Sequence, residues 1–178
     1  MDLSPEAVAG MNAGETRFDL EAVFAGQYAR VARVIAKVIR DPARAEELAV
    51  EVFLKWSRKP QAQGAGSEGW LYRTAVRTGL DELRRQARRG QYESLARLAP
   101  ATLTPEEIHA SQQDHERVRA VLAALQSRQS EMLLLRSEDL SYEELAGALD
   151  LNPASVGTLL SRAQEAFRKE YTKKYGKQ

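Results

Sequence analysis

Apolar residues recur at intervals of three and four along most of the chain, and the runs open on helix-starting signals rather than on hairpin turns. Leu20, Val23, Phe24, Val31, Ile35, Val38 and Ile39 mark one face of a long helix ending near Arg40. Asp41-Pro42 then supplies a side-chain acceptor for the cap and a ring already set to helical φ. Ala45, Leu48, Ala49, Val52, Phe53 and Trp56 follow as the apolar stripe of a second helix. Trp70, Leu71, Ala75, Leu80 and Leu83 support a third, capped by Ser67 and stopped at Gly90 after Arg84, Arg85, Arg88 and Arg89. A stripe of period 3.6 cannot line one face of a strand, whose period is two, so the pattern predicts an all-α chain.

The last third repeats the signal in shorter helices. Thr104-Pro105-Glu106-Glu107 and Ser141-Tyr142-Glu143-Glu144 both have the form of a capping box, in which side chain and backbone satisfy each other's unpaired groups. The first opens a helix towards Leu125, a second short helix runs from Met132 to Arg136, and Ser141 opens a third. Asn152-Pro153 then caps a final helix with an inner face of Val156, Leu160, Ala163 and Phe167. A short helix, a tight turn and a longer helix form the helix-turn-helix pattern, whose second member lies in the DNA major groove. The predicted organisation is an N-terminal arm over 1–17, a first domain over 18–90, an acidic flexible linker over 91–115, a second domain over 116–172 and a tail over 173–178.

Composition removes other classes. With 43% hydrophobic and 29% charged residues the chain is too apolar for disorder, and 26 Lys+Arg against 25 Asp+Glu exclude a polybasic tail protein. Cys is absent, so no disulfide framework, thiolate metal site or cysteine nucleophile is available. No apolar stretch approaches the ~18 residues of a membrane span, and Met1–Arg17 lacks the basic-then-apolar plan of a signal peptide. A cytoplasmic protein without membrane insertion is the expectation. His109 and His115 are six apart rather than four, and no nucleophile elbow, phosphate-binding glycine loop or HExxH occurs. The chain is therefore expected to be no enzyme and to hold no cofactor or metal.

What remains is charge and stacking. Arg73, Arg77, Arg84, Arg85, Arg88 and Arg89 share one helix opposed only by Asp81 and Glu82, and guanidinium groups match both phosphate and guanine edges. The alternative is a solvated helix whose cations complement its dipole. Trp56 and Trp70 fall in apolar phase and read as core, whereas Tyr72, beside the Gly-containing loop Lys59–Gly69, is open to either core packing or base stacking. Glu46, Glu47 and Glu51 form an acidic face opposite the stripe of the second helix.

The order of these segments resembles the extracytoplasmic-function (ECF) type of bacterial RNA polymerase sigma factor, which keeps conserved regions two and four. The resemblance covers about Phe18 to Tyr171. Its stretches are Asp41 to Leu48 with Glu51 to Trp56, Trp70 to Arg73 with Leu80 to Arg85, Ser141 to Ala146, and Ser155-Val156 with Leu160 to Ala163. It implies two small helical domains on a flexible linker: a region 2 bundle of three to four helices and a region 4 helix-turn-helix. It also implies a subunit that binds core RNA polymerase and promoter DNA and answers to an anti-sigma protein. The helix Ala45–Trp56 would dock on polymerase through Arg44, Glu47, Glu51 and Lys55. Ser67, Glu68, Tyr72, Arg73 and Arg77 would surround a flipped base of the minus-ten element, and Arg84, Arg85, Arg88 and Arg89 would hold its phosphates. The last helix would read the minus-thirty-five element through Ser155, Thr158, Ser161, Arg162 and Lys169. The chain departs from the family pattern at Val50, where a glutamine is usual, at Val76-Arg77 in place of Arg-Asn, and at Gly157 and Leu159 in place of cations. Val50, Gly157 and Leu159 fit a second reading, a sigma-like mimic that sequesters an anti-sigma protein without binding promoters.

Overall fold

The computed structural model describes residues 20–64, 66–96 and 106–176, with the side chains of 91–96 and 106–112 outside that description. The described residues form α1 (Leu20–Ile39), α2 (Pro42–Ser57), a 3-10 turn (Pro60–Ala62), α3 (Ser67–Ala96), α4 (Glu106–Ala124), α5 (Ser127–Arg136), α6 (Tyr142–Leu149) and α7 (Pro153–Tyr175), and no strand occurs among them. The arm over 1–17 and the Thr104 capping box lie outside the described residues.

The joint between α1 and α2 is as short as the sequence implies. Arg40 turns left-handed at φ 57 and donates its N–H to Ala36 O, and Asp41 accepts from Arg44 N at 3.0 Å. Asp41 thus satisfies one of the four backbone donors that a helix start leaves open. The apolar stripes of α1 and α2 meet α3, which buries Leu71, Ala75, Val76, Leu80 and Leu83. Gly79 lets α3 approach α1 closely: a Cβ there would stand 3.3 Å from Val38 Cβ. Trp56 is fully buried, and its indole N–H donates to Ala62 O at 2.9 Å, pinning the 3-10 turn to the core. Gln63 Nε2 adds bonds to Trp56 O and Ser57 O, so the start of the loop after α2 is held from both sides.

In the C-terminal half the Ser130 hydroxyl donates to Leu122 O at 2.7 Å, fastening α5 beneath α4. The capping box is complete: Ser141 Oγ accepts from Glu144 N, and Ser141 N donates to Glu144 Oε2 at 2.7 Å. Asp150, left-handed at φ 55, ends α6, and Asn152 accepts from Ala154 N at 3.0 Å to start α7 behind Pro153. The helix-turn-helix is therefore built by its caps as well as by its core of Leu145, Leu149, Val156 and Leu160.

Three boundaries differ from the sequence reading, and so does the relation between the halves. Helix α3 passes through Gly90 to Ala96, because one exposed glycine costs only ~1 kcal/mol against alanine and its neighbours are helix formers. Ser67 is the first helical residue rather than its cap, since Trp70 N reaches Gly66 O at 3.1 Å. Helix α7 continues to Tyr175, past the boundary set at 173. The two halves are also not held apart: α3 packs on α4, α5 and α6 as well as on α1 and α2, and one apolar cluster runs through both.

Trp56→Ala is expected to lower unfolding free energy by about 3–5 kcal/mol in urea denaturation. Trp56→Phe should cost far less and instead speed proteolysis near the 3-10 turn, whose anchor it removes. A second expectation concerns acid. The backbone N–H of Ser141, then its side chain, hold the Glu144 carboxyl below its ordinary 4.5. A depressed folded value stabilises the fold above pH 4.5, and this contribution disappears as pH falls through the folded value. The stability gap between wild type and Glu144→Gln should therefore be full at neutral pH and close below 4.5, measured by thermal melts across pH.

Candidate polymerase and nucleic-acid interfaces

Helix α2 turns its apolar stripe inward, so the residues between must face out. Glu47 and Glu51 are exposed, and beside them Val50 and Leu54 are 42% and 50% exposed. A step of four places this apolar pair on one ridge. Arg44 is drawn across the flank: it lies 2.6 Å from Glu47, 3.9 Å from Glu51 and 3.5 Å from Glu82 of α3. Lys55 is exposed and lines a cleft of about 350 Å³ with Arg44, Glu51, Glu82, Arg85 and Arg88. Of the four polymerase-facing candidates, Glu47, Glu51 and Lys55 are accessible, while Arg44 is the tie to α3.

At the start of α3 the candidates come together, but not as an open pocket. Tyr72 is 5% exposed; its hydroxyl donates to Gln27 Oε1 at 2.5 Å, and the Arg30 guanidinium lies 4.5 Å from the ring centroid. Burial pushes the phenol up from its usual range, with Arg30 opposing. Gln27 passes the chain on, donating Nε2 to Glu68 Oε1 at 2.6 Å. The ring of Tyr72 is therefore covered, and base stacking on it is corrected to a core position with a bonded hydroxyl. Ser67 is likewise buried, and Arg73 is half-buried. Trp70 packs against the core, with Lys59 Nζ 5.8 Å from its ring centroid.

Further along α3 the arginines divide. Arg77 Nε stands 3.0 Å from Glu131 Oε2 of α5, an ionic approach without the alignment of a hydrogen bond. Arg84 donates three times to the C-terminal half: Nε to Ala123 O at 3.2 Å, Nη2 to Leu125 O at 3.3 Å and Nη1 to Ser127 Oγ at 3.2 Å. Arg85 pairs with Glu82, which is 6% exposed. Only Arg88 and Arg89 of the four phosphate candidates are exposed without an ion pair among the described residues. Val76, standing where the family pattern has arginine, is wholly buried in the core.

Helix α7 keeps its outer face clear. Ser155, Thr158, Ser161, Arg162 and Lys169 are all exposed, and Ser155, Thr158, Arg162 and Lys169 follow one another at steps of three, four and seven. Leu159 is partly buried against the core, which accounts for an apolar residue there. A Cβ on Gly157 would make ordinary contact with Tyr142 at 3.5 Å, so packing does not require glycine at that position. No group of acids and histidines among the described residues is placed to hold a metal, and no described helix is long and apolar enough to cross a membrane.

Sequence reasoning missed Gln27, Arg30 and Glu131, and took Glu82 only as a charge opposing the arginines. Glu82 and Glu131 carried a signal in retrospect, each being an acid within the apolar phase of its helix; Gln27 and Arg30 carried none.

Comparison with known proteins gives the same two halves. The models for Sigma-70 region 2 and for Sigma-70, region 4 match residues 24–89 and 115–166. The ECF RNA polymerase sigma factor SigE of Mycolicibacterium smegmatis is 28% identical over 144 residues, covering 78% of this chain. RNA polymerase sigma factor YlaC of Bacillus subtilis is 27% identical over 164 residues and 88% of the chain. CarQ of Myxococcus xanthus, also an RNA polymerase sigma factor, is 28% identical over 155 residues and 83% of the chain. The chain spans 56% of the length of SigE but 94% of YlaC and 86% of CarQ. The sigma factor RpoE of Bartonella quintana, solved in complex with the anti-sigma factor NepR, shares the fold at TM-score 0.50 and 17% identity, over 85% of this chain and 96% of that one. With region 2 falling on α1–α3 and region 4 on α4–α7, in that order in one all-α chain, the chain belongs to the ECF sigma factors of the sigma-70 family.

Proposed function

We propose that this chain is a promoter-specificity subunit, which binds core RNA polymerase and directs it to promoter DNA without chemistry of its own. The observation that carries the reading is the pairing, in one chain, of a region 2 bundle with a region 4 helix-turn-helix whose last helix leaves its polar face uncovered. In this reading the ridge of Val50 and Leu54, with Glu47 and Glu51 beside it, lies on a polymerase surface, and apolar contact replaces the hydrogen bond that a glutamine at position 50 would make. Arg88 and Arg89 meet phosphates near the minus-ten element. Ser155, Thr158, Ser161, Arg162 and Lys169 face the minus-thirty-five element. Phosphate contacts set register and base contacts set sequence, so the cations of α7 serve affinity and its hydroxyls serve choice. The relation to an RpoE crystallised with an anti-sigma factor supports a protein antagonist of that class for this chain as well.

Run-off transcription on a genomic fragment library, with and without the protein, tests the reading. New starts sharing two spaced upstream elements are the expected result. Binding to polymerase or to an anti-sigma protein with no new starts would replace the reading with that of a mimic. Arg88→Ala with Arg89→Ala should leave polymerase binding intact and flatten the dependence of log K for duplex promoter on log salt by about 1.8, at ~0.9 per phosphate. Leu54→Asp, at a half-exposed position, should keep the helical circular dichroism signal and weaken polymerase binding by roughly tenfold, about 1–2 kcal/mol.

A further inference from the structure

Four of the seven large apolar side chains exposed among the described residues gather on one face of the N-terminal half: Leu20 and Phe24 of α1, 42% and 39% exposed, with Val50 and Leu54 of α2. Leu20 stands one turn before Phe24, the Phe24 ring lies 4.9 Å from that of Phe53, and Val50 and Leu54 flank Phe53 at steps of three and one, so the patch is continuous. Exposed apolar surface collected in one place marks an interaction site, and the charges around it indicate the partner. Two rows run along this face of α2. Glu46, Val50 and Ser57 follow at steps of four and seven, and Glu47, Leu54 and Arg58 at steps of seven and four. Read from opposite ends, the two rows have the same spacing. Laid antiparallel on a second α2, each row therefore meets the other: Val50 faces Leu54, Glu46 faces Arg58 and Glu47 faces Ser57. A two-fold axis makes every such contact twice. A parallel approach would instead set Glu46 and Glu47 against their own copies.

We propose that a second copy of this chain covers the ridge of Val50 and Leu54, in a two-fold dimer with antiparallel α2 helices and reciprocal Glu46–Arg58 pairs. Glu46 and Arg58 are exposed, and neither has an ion pair among the described residues. They stand about 18 Å apart along α2 at ~1.5 Å per residue, so both pairs close only when the helices cross at a shallow angle, the ~20° class. Antiparallel α2 helices also set the positive end of each dipole beside the negative end of the other. A net charge of +1 leaves little repulsion between copies. Four half-exposed apolar side chains a copy fall short of the ~1,200 Å² of a stable interface, so the dimer is weak and depends on concentration. The contact stands without the polymerase reading, but its consequence rests on that reading: a ridge held by a second copy is closed to polymerase, and the two partners exclude each other.

Sedimentation equilibrium of the full chain, from micromolar to near-millimolar concentration, should show monomer and dimer in exchange. Glu46→Lys and Arg58→Glu, both at exposed positions, should each weaken the dimer about tenfold, because each sets like charges in contact twice. Mixing the two variants should restore it, since a mixed pair regains both ion pairs, and so should the two substitutions in one chain. A contribution of these residues to the fold of the single chain would not be repaired by mixing. Variants that associate as the parent does, or a mixture no tighter than its components, would overturn the proposal. A monomer at every concentration, with polymerase binding still lost in Leu54→Asp, would overturn it too and leave the ridge to polymerase alone. The chain has no cysteine, so two pools can be labelled at one added at the C-terminus. Energy transfer between them should fall as core polymerase is added. Transfer that persists on polymerase would keep the dimer and discard the docking of this ridge on polymerase.

Discussion

The structure depends on α3 being packed on two sides at once. At 3.6 residues per turn, Tyr72, Gly79 and Glu82 fall on one face and touch α1 and α2, through Gln27, Val38 and Arg44. Gly69, Arg77 and Arg84, at steps of eight and seven, fall on another and touch α6, α5 and the end of α4. The first face is fixed by buried apolar side chains and a glycine approach. The second has a glycine approach too, but its polar contacts end in charges that water or DNA can also satisfy. One apolar cluster nevertheless runs through both faces, so α3 is the wall that the two halves share.

The buried acids follow the same division. Glu82 lies within the N-terminal half, where Arg44 and Arg85 reach it from α2 and α3. It links the polymerase ridge to the arginine run, so a partner that drew Arg44 away would leave a buried carboxylate short of charge. Losing one partner of a buried pair costs more than the pair ever contributes, and this fixes Arg44 as part of the scaffold. Glu131 instead receives its cation from α3, in the other half, and Arg77 is half-exposed. There too the carboxylate is buried, at 4% exposure, and only the guanidinium end of the pair meets solvent.

Helix identity was legible because caps and periodicity are local. Asp41, Ser141 and Asn152 do in the structure what their neighbours in sequence imply, and Trp56 is buried where its phase places it. Gly90 misled because a weak breaker was given the weight of a stop, although nothing there demands a left-handed backbone. The site was legible as a list of residue types and not as an arrangement. Arginine spacing shows that guanidinium groups crowd one helix, but which of them are free depends on Glu82, Glu131 and the carbonyls ending α4. Those partners lie on other elements, and no period in α3 encodes them. Tyr72 failed as a stacking platform for the same reason, since Gln27 and Arg30 cover it from α1.

Near-neutrality also looks different once these partners are placed. A chain with net charge +1 has little long-range pull on a polyanion, so its attraction has to come from local concentration of cations. Arg88, Arg89, Arg162 and Lys169 are exposed and provide it. Arg77, Arg84 and Arg85 are matched instead by acids and carbonyls of the chain itself. The cations left open to a polyanion are therefore those that end the arginine run of α3 and those along α7.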